Sequence, residues 1–231
     1  MQRENAKKMP TPIHLFDIYR SANIGIFLRT NDKFCLVPRG ISSTKEEKLQ
    51  NLLEVKAIQI SVGGSRLLGP LVAMNNNGMV LSRFAEDSEV STLSEATGLD
   101  VVRLNSRFTS VGNLISANDI GAVISDVFGD ESTRAIRDTL KVPVQKMRIA
   151  SFIQVGAMLS ATNQGAVIHP IASEEEISRI RGVLGFEPEP ATVNGGVPFV
   201  ASGFVGNSKS ILVGAQTRGA ELVIVSKAFS A

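Results

Sequence analysis

Few side chains in this sequence are suited to chemistry. Cys35 is the only thiol, set in the run Phe34-Cys35-Leu36-Val37-Pro38. A cysteine nucleophile needs a base in contact with it, and the chain offers two histidines, His14 and His169. His169 precedes Pro170 at an expected strand end, where a pre-proline residue has a structural reading. Two histidines without further ligands make no zinc site. The string Val62-Gly63-Gly64-Ser65 has the glycines of a phosphate loop, but not the Gly-Lys-Ser/Thr ending that reaches phosphate and magnesium. An apolar strand, and no helix N-terminus, is expected after it, so it reads as a turn. Glu174, Glu175 and Glu176 follow Ser173 and read as the acidic first turn of a solvated helix. No catalytic set, metal site or cofactor is expected.

The elements that hold these residues follow from composition and period. Of 231 residues, 43% are hydrophobic, with no Trp and one Tyr, so the core must come from Val, Ile, Leu, Ala and Phe. A net charge of +2 is too small to mark nucleic-acid binding by bulk charge. One cysteine permits no intrachain disulfide and fits a reducing compartment. No apolar run reaches the roughly 18 residues of a membrane span. Residues 1–12 are polar, carry Arg3, Lys7 and Lys8, and lack the apolar stretch of a signal peptide. They read as a flexible N-terminal extension of a cytoplasmic protein, with one domain over 13–231.

The chain repeats itself. Segments 71–81, 114–124, 158–168 and 204–213 each read as apolar strand, polar turn and apolar strand, and 26–37 fits the same pattern. Taking Lys33, Gly78, Gly121, Gly165 and Lys209 as the last turn residues, the period is 43–45 residues. The glycines suit a tight hairpin that needs positive φ, with Lys33 and Lys209 in their place in the first and last turns. In the same phase, helix caps are expected at Thr44, Asp87, Asp130 and Ser173, with capping boxes at Thr44–Glu47 and Ser173–Glu176. A third strand follows each helix, at 56–60, 100–104, 144–149 and 189–193. The fifth unit has a helix near 218–229 and no strand after it, while 13–18 is a strand with no helix before it. A ring closes both defects: the first strand completes the last unit and removes free sheet edges. Closure leaves a central channel lined by one strand from each unit.

With the five units laid out, the chain resembles the archaeal and eukaryotic translation initiation factor 6 family. The resemblance runs from about Ile13 to Phe229 and rests on Ser21–Gly25, Val62–Arg66, Thr109–Asn113, Thr162–Gly165 with Val167–Pro170, and Ala191–Gly196. It implies an α+β pentein fold, a β/α-propeller of five pseudosymmetric repeats. It also implies binding to the intersubunit face of the large ribosomal subunit beside the sarcin–ricin loop, mainly through ribosomal protein and with adjacent rRNA in reach. Members block joining of the small subunit by occupancy. A part in large-subunit biogenesis, a monomeric state and no membrane partner belong to the same expectation.

Pentein relatives include guanidine-modifying enzymes with a nucleophilic cysteine, so an enzyme built on Cys35 is the alternative. The repeat argues against it, since the positions matched to Cys35 are the apolar Val80, Val123, Val167 and Leu212. Binding is better placed on the loops entering each hairpin, 23–25, 63–66, 109–113, 152–156 and 195–199, which a ring brings to one face. From these loops and their flanks, Asn23, Gly64, Arg66, Phe108, Thr109, Asn113, Phe152, Gln154 and Phe199 are the expected ribosome-binding residues, Asn113 foremost. Basic pairs at Arg103/Arg107, Arg134/Arg137 and Lys146/Arg148 read as solvated surface, with phosphate contact as the lesser reading.

Overall fold

Every apolar–polar–apolar segment folds as a hairpin, and each hairpin gains a parallel strand from beyond a helix. The computed structural model describes residues 11–230, so most of the expected N-terminal extension lies outside the described residues. The described chain opens with β1 (Ile13–Phe16). The first unit holds the helical turn α1 (Ile24–Phe27), β2 (Arg29–Thr30), β3 (Phe34–Pro38), helix α2 (Ser43–Leu53) and β4 (Lys56–Ile60). The second repeats this as α3 (Leu68–Leu71), β5 (Val72–Met74), β6 (Gly78–Leu81), α4 (Asp87–Thr97) and β7 (Asp100–Arg103). The third has α5 (Val111–Leu114), β8 (Ile115–Ala117), β9 (Ala122–Ser125), α6 (Asp130–Leu140) and β10 (Val144–Met147). The fourth has α7 (Val155–Met158), β11 (Leu159–Ala161), β12 (Ala166–Ile168), α8 (Glu174–Leu184) and β13 (Glu189–Pro190). The fifth begins with a 3-10 turn at Val200–Ser202 and continues as β14 (Phe204–Gly206), β15 (Ile211–Gly214) and α9 (Gly219–Ala228).

Five three-stranded sheets result. In each, the second hairpin strand is central, antiparallel to the first and parallel to the strand after the helix. In the fifth sheet that place is taken by β1, which pairs with β15 from Ile13↔Ile211 to Phe16↔Gly214. The expected pentein ring is therefore closed by its N-terminal strand. Its apolar interior is divided into five clusters, and neighbours share them: Val205 and Leu212 of the fifth unit pack with Leu28, Cys35 and Leu49 of the first.

The hairpin turns depart from expectation in register and in cause. The antiparallel pairs Thr30↔Cys35, Met74↔Met79, Ala117↔Ala122, Ala161↔Ala166 and Gly206↔Ile211 are equivalent. The residues matching Gly78, Gly121 and Gly165 are thus Phe34 and Ser210, not Lys33 and Lys209. Cys35 matches Met79, Ala122, Ala166 and Ile211. None of the three glycines has positive φ. Glycine stands there because the next unit's helix lies against it: a Cβ on Gly78 would overlap Thr139 O, on Gly121 Val183 O, and on Gly165 Ala228 O. The turns themselves are shaped by the first polar residue. Asn31 Oδ1 accepts the amides of Lys33 and Phe34 at 2.9 and 2.8 Å, and Asn75, Asn118 and Asn207 repeat this.

Helix starts also shift. Ser42, not Thr44, caps α2, accepting the Lys45 amide, and no box forms at Thr44–Glu47. Glu86 and Gly129 hold the cap positions before Asp87 and Asp130. Ser173 caps α8 as expected, with Glu176 completing the box.

The short elements build the axis. Strands β2, β5, β8, β11 and β14 line a central cavity of about 70 Å³. The helical turns α1, α3, α5, α7 and the 3-10 turn touch one another in sequence around one end. A Cβ on Gly69 would overlap Gly25 O, and one on Gly112 would overlap Gly69 O. At the other end of the inner strands sits a polar ring. Asp32 and Asp119 accept from the Asn76 amide at 2.7 and 2.6 Å, Asn163 donates to Asp119 at 2.6 Å, and the Ser208 amide donates to Asp32 at 2.7 Å. Burial alone would raise the Asp32 pKa, but bonds from Ser208, Asn76 and Asn163 hold it below the usual carboxylate range.

Candidate binding surface

Each inter-unit turn leads into one of the axial helical turns, so the five loops surround the same end of the channel. Long-helix N-termini hold several of them. Glu89, at the third position of α4, accepts Gly63 N at 2.7 Å, Ser61 Oγ at 2.8 Å, Gly64 N at 3.4 Å and Glu86 N at 2.9 Å. Glu221 of α9 does the same for Gly195 N, Gly196 N, Thr192 Oγ1 and Arg218 N. The amide nest that made Gly63-Gly64 look like an anion loop is filled by the protein's own carboxylate. A helical turn, α3, follows it before the expected strand. In the first unit Lys45 takes the corresponding role, pairing with Asp17 at 3.0 Å.

On this scaffold four of the expected residues come together. Phe108, Thr109, Asn113 and Gln154 line one cleft of about 300 Å³ with Arg107, Ser110, Leu114 and Ile153. The lining combines the apolar Phe108, Leu114 and Ile153 with two amides and a guanidinium. Among the described residues, the Asn113 and Gln154 side chains have no hydrogen-bond partner and Arg107 no ion pair. The Arg107 guanidinium lies 4.8 Å from the Phe108 ring centre, and Phe108 meets Phe128 edge-on at 6.5 Å.

One step around the ring, Phe152 and Phe199 meet edge-on at 6.0 Å, both above the imidazole of His169. They remain 41% and 38% exposed while His169 is buried. Burial lowers the His169 pKa, so a neutral ring supports the two phenyls. Because Phe152 and Gln154 share one loop, the aromatic cluster and the cleft form one surface across three units.

The other expected residues stand apart. Gly64 has φ +72° with open space around it, and acts as turn former. Arg66 is exposed beside Leu67, one unit before the cleft. Asn23 is held internally: its Oδ1 accepts from Asn194 Nδ2 at 3.3 Å across the seam between the fifth and first units. Three of the basic residues are committed to carboxylates: Arg103 to Asp87 at 2.8 Å, Arg137 to Asp138 at 3.6 Å and Arg148 to Asp126 at 2.9 Å. Sequence reasoning undervalued Arg107, Ile153 and His169. The adjacency Arg107-Phe108 was the available signal.

Cys35 is wholly buried, and burial pushes its thiol up to about 12. That environment holds a structural thiol in its protonated form. Among the described residues no group of three or more His, Cys, Asp or Glu could hold a metal, and no helix is long and apolar enough to cross a membrane.

The closed ring thus presents, at one end, loops with aromatic tips and amides that have no partner among the described residues. A model of the eIF-6 family matches residues 13–228. Proteins named translation initiation factor 6 share 45% identity over 94% of this chain and 99% of their own length in Cenarchaeum symbiosum, and 44% over 93% and 97% in Nitrosopumilus maritimus. That of Pyrococcus furiosus shares 38% over 94% and 97%. Among solved structures, a dimethylarginine dimethylaminohydrolase aligns over 90% of this chain and 73% of its own, with a TM-score of 0.48 and 13% identity. The chain belongs to the eIF-6 family.

Proposed function

We propose that this protein binds the intersubunit face of the large ribosomal subunit, beside the sarcin–ricin loop, and excludes the small subunit by occupancy. The partner surface is mainly ribosomal protein, with rRNA phosphate within reach of Arg107 and Arg66. The protein acts as a cytoplasmic monomer without a cofactor, residues 13–231 work as one domain, and the same binding serves large-subunit biogenesis. Membership of a family whose relatives are named translation initiation factors supports a ribosomal partner. The observation supporting the mode is the rim surface from Arg107 to Phe199: aromatic anchors and amides without internal partners, on loops of which Glu176 and Glu221 tie two. Such anchors give interfaces most of their affinity, and loops already ordered lose little entropy on docking.

Sedimentation of purified protein with isolated ribosomal subunits tests this reading. Co-migration with large subunits and a reduced yield of joined ribosomes are expected. Binding without any effect on joining refutes the exclusion mechanism, and failure to co-migrate refutes the partner.

A further inference from the structure

The axial cavity contains a charge that the rim surface does not use. Its lining position is Arg29 in the first unit, where the other four units carry Ala73, Ser116, Ser160 and Val205, as the hairpin registers show. The Arg29 side chain lies in the cavity, at the end next to the helical turns. Its Nε donates to Val72 O at 3.0 Å and one Nη to Gly112 O at 3.3 Å. A guanidinium has five N–H donors, so these two bonds leave three without a protein acceptor. Among the described residues Arg29 enters no ion pair. The nearest carboxylate along its own strand, Asp32, is three residues on, roughly 10 Å at strand rise, and is bound into the polar ring at the opposite end.

Two hydroxyls face the same space. Ser116 and Ser160 are 7% and 9% exposed, line the cavity, and have no hydrogen-bond partner among the described residues. Their oxygens are open to the channel, so they have no protein acceptor and are completed by what occupies it. A guanidinium held largely out of bulk water without a counter-charge is costly, and burial pushes the Arg29 pKa down to about 10. The three groups line one cavity and have donors that no protein atom accepts.

We propose that the axial channel is a binding site for a small inorganic anion of halide size, held by the Arg29 guanidinium and the hydroxyls of Ser116 and Ser160. A cavity of about 70 Å³ holds such an ion with a few waters. The anion completes the coordination of a side chain whose other bonds reach the second and third units, so its binding ties three units of the ring together. The site lies behind Gly112, the neighbour of Asn113, on the inner side of the helical turn that presents that rim amide.

Bromide is the probe. Crystals of the wild-type protein grown in sodium bromide should show an anomalous peak in the channel within hydrogen-bond distance of Arg29. In solution, replacing gluconate by bromide at constant ionic strength should raise Tm by about 4 °C at ten times the half-saturating concentration. Arg29→Met should abolish that rise. Should Arg29→Met fail to fold, Ser116→Ala/Ser160→Ala, which keeps the charge, should raise the half-saturating bromide concentration by about fivefold. Water alone in the channel, or equal bromide responses in the wild type and these variants, overturns the proposal.

Discussion

The carboxylate of Glu89 accepts the Gly63 amide at 2.7 Å, tying the helix of the second unit to the turn that joins it to the first. Three further donors, Ser61 Oγ, Gly64 N and Glu86 N, converge on the same group, which is 3% exposed. Desolvation by itself would raise the Glu89 pKa, yet these bonds outweigh it and hold it below the usual range; Glu221 behaves likewise. Glu89→Gln keeps the shape and replaces one acceptor by a donor among donors. It should cost about 2 kcal/mol, read from urea unfolding near neutral pH.

The same two carboxylates set a pH dependence. Their folded pKa values are depressed, so their contribution is complete above the unfolded value near 4.5 and is lost as pH falls through the folded values. A Glu89→Gln/Glu221→Gln variant, weaker near neutrality, should therefore lose less further stability than the wild type between about pH 5 and pH 3. An equal or steeper decline in the variant would show that other groups control acid unfolding.

Asn113 should behave in the opposite way. Its side chain has no partner among the described residues and lines the rim cleft. Asn113→Ala should leave stability within about 0.5 kcal/mol while weakening large-subunit binding about tenfold or more. Phe199→Ala should act similarly on binding, through loss of the aromatic pair over His169. Unchanged binding in both variants would move the contact surface elsewhere on the ring.

Two glycines separate close approach from backbone conformation. A methyl on Gly112 would overlap Gly69 O and Val72 O of the preceding unit, both main-chain atoms unable to move without opening the ring. Gly112→Ala should cost about 3 kcal/mol. Gly64 has nothing within 4 Å but φ of +72°, so Gly64→Ala should cost only about 1 kcal/mol. Thermal unfolding of the pair ranks the two causes.

Legibility in the sequence followed range. Hairpins and helices are readable because their apolar periods and turn residues are local, and the strand expected at 56–60 is β4 to the residue. The ring followed from one missing strand at each end, which β1 pairing with β15 resolves. What failed was decided between units. Gly78, Gly121 and Gly165 read locally as turn formers because the helices pressing on them lie far along the chain. Lys33 and Lys209 read as the matching turn ends, one residue early, because Phe34 and Ser210 stand where the other turns have glycine. The bonds from Asn75 to Asn118 O at 3.1 Å and Leu140 O at 2.8 Å leave no periodic trace in a single segment. At the rim, loop composition located Phe108, Asn113, Phe152 and Phe199, but not that Asn23 is used up at a seam.

The thiol offers a test of packing. Cys35 is 0% exposed and its pKa stands at about 12, so neither access nor thiolate favours reaction. Ellman's reagent at about pH 8 should leave the native protein unmodified and titrate the thiol fully in denaturant. Rapid native reaction would mean that the first core cluster opens far more readily than its burial implies.

Ring closure can be tested by removing its fastener. Phe16 is 2% exposed in the first core cluster, and Ile13 packs against that of the fifth. Deleting residues 1–17 removes both, strips β15 of its parallel partner, and leaves its edge free. Loss of the buried phenyl alone should cost about 4 kcal/mol, and an unpaired strand edge invites pairing with another chain. The truncated protein should unfold at lower temperature and form dimers or larger species on size-exclusion chromatography with light scattering. Adding back a peptide spanning residues 11–18 should restore the monomer, because the groove between β15 and the first core cluster is then filled by its own strand. A truncated chain that stays monomeric with unchanged Tm would mean that the remaining contacts between the first and fifth units, Asn194 to Ala22 O among them, suffice to hold the ring.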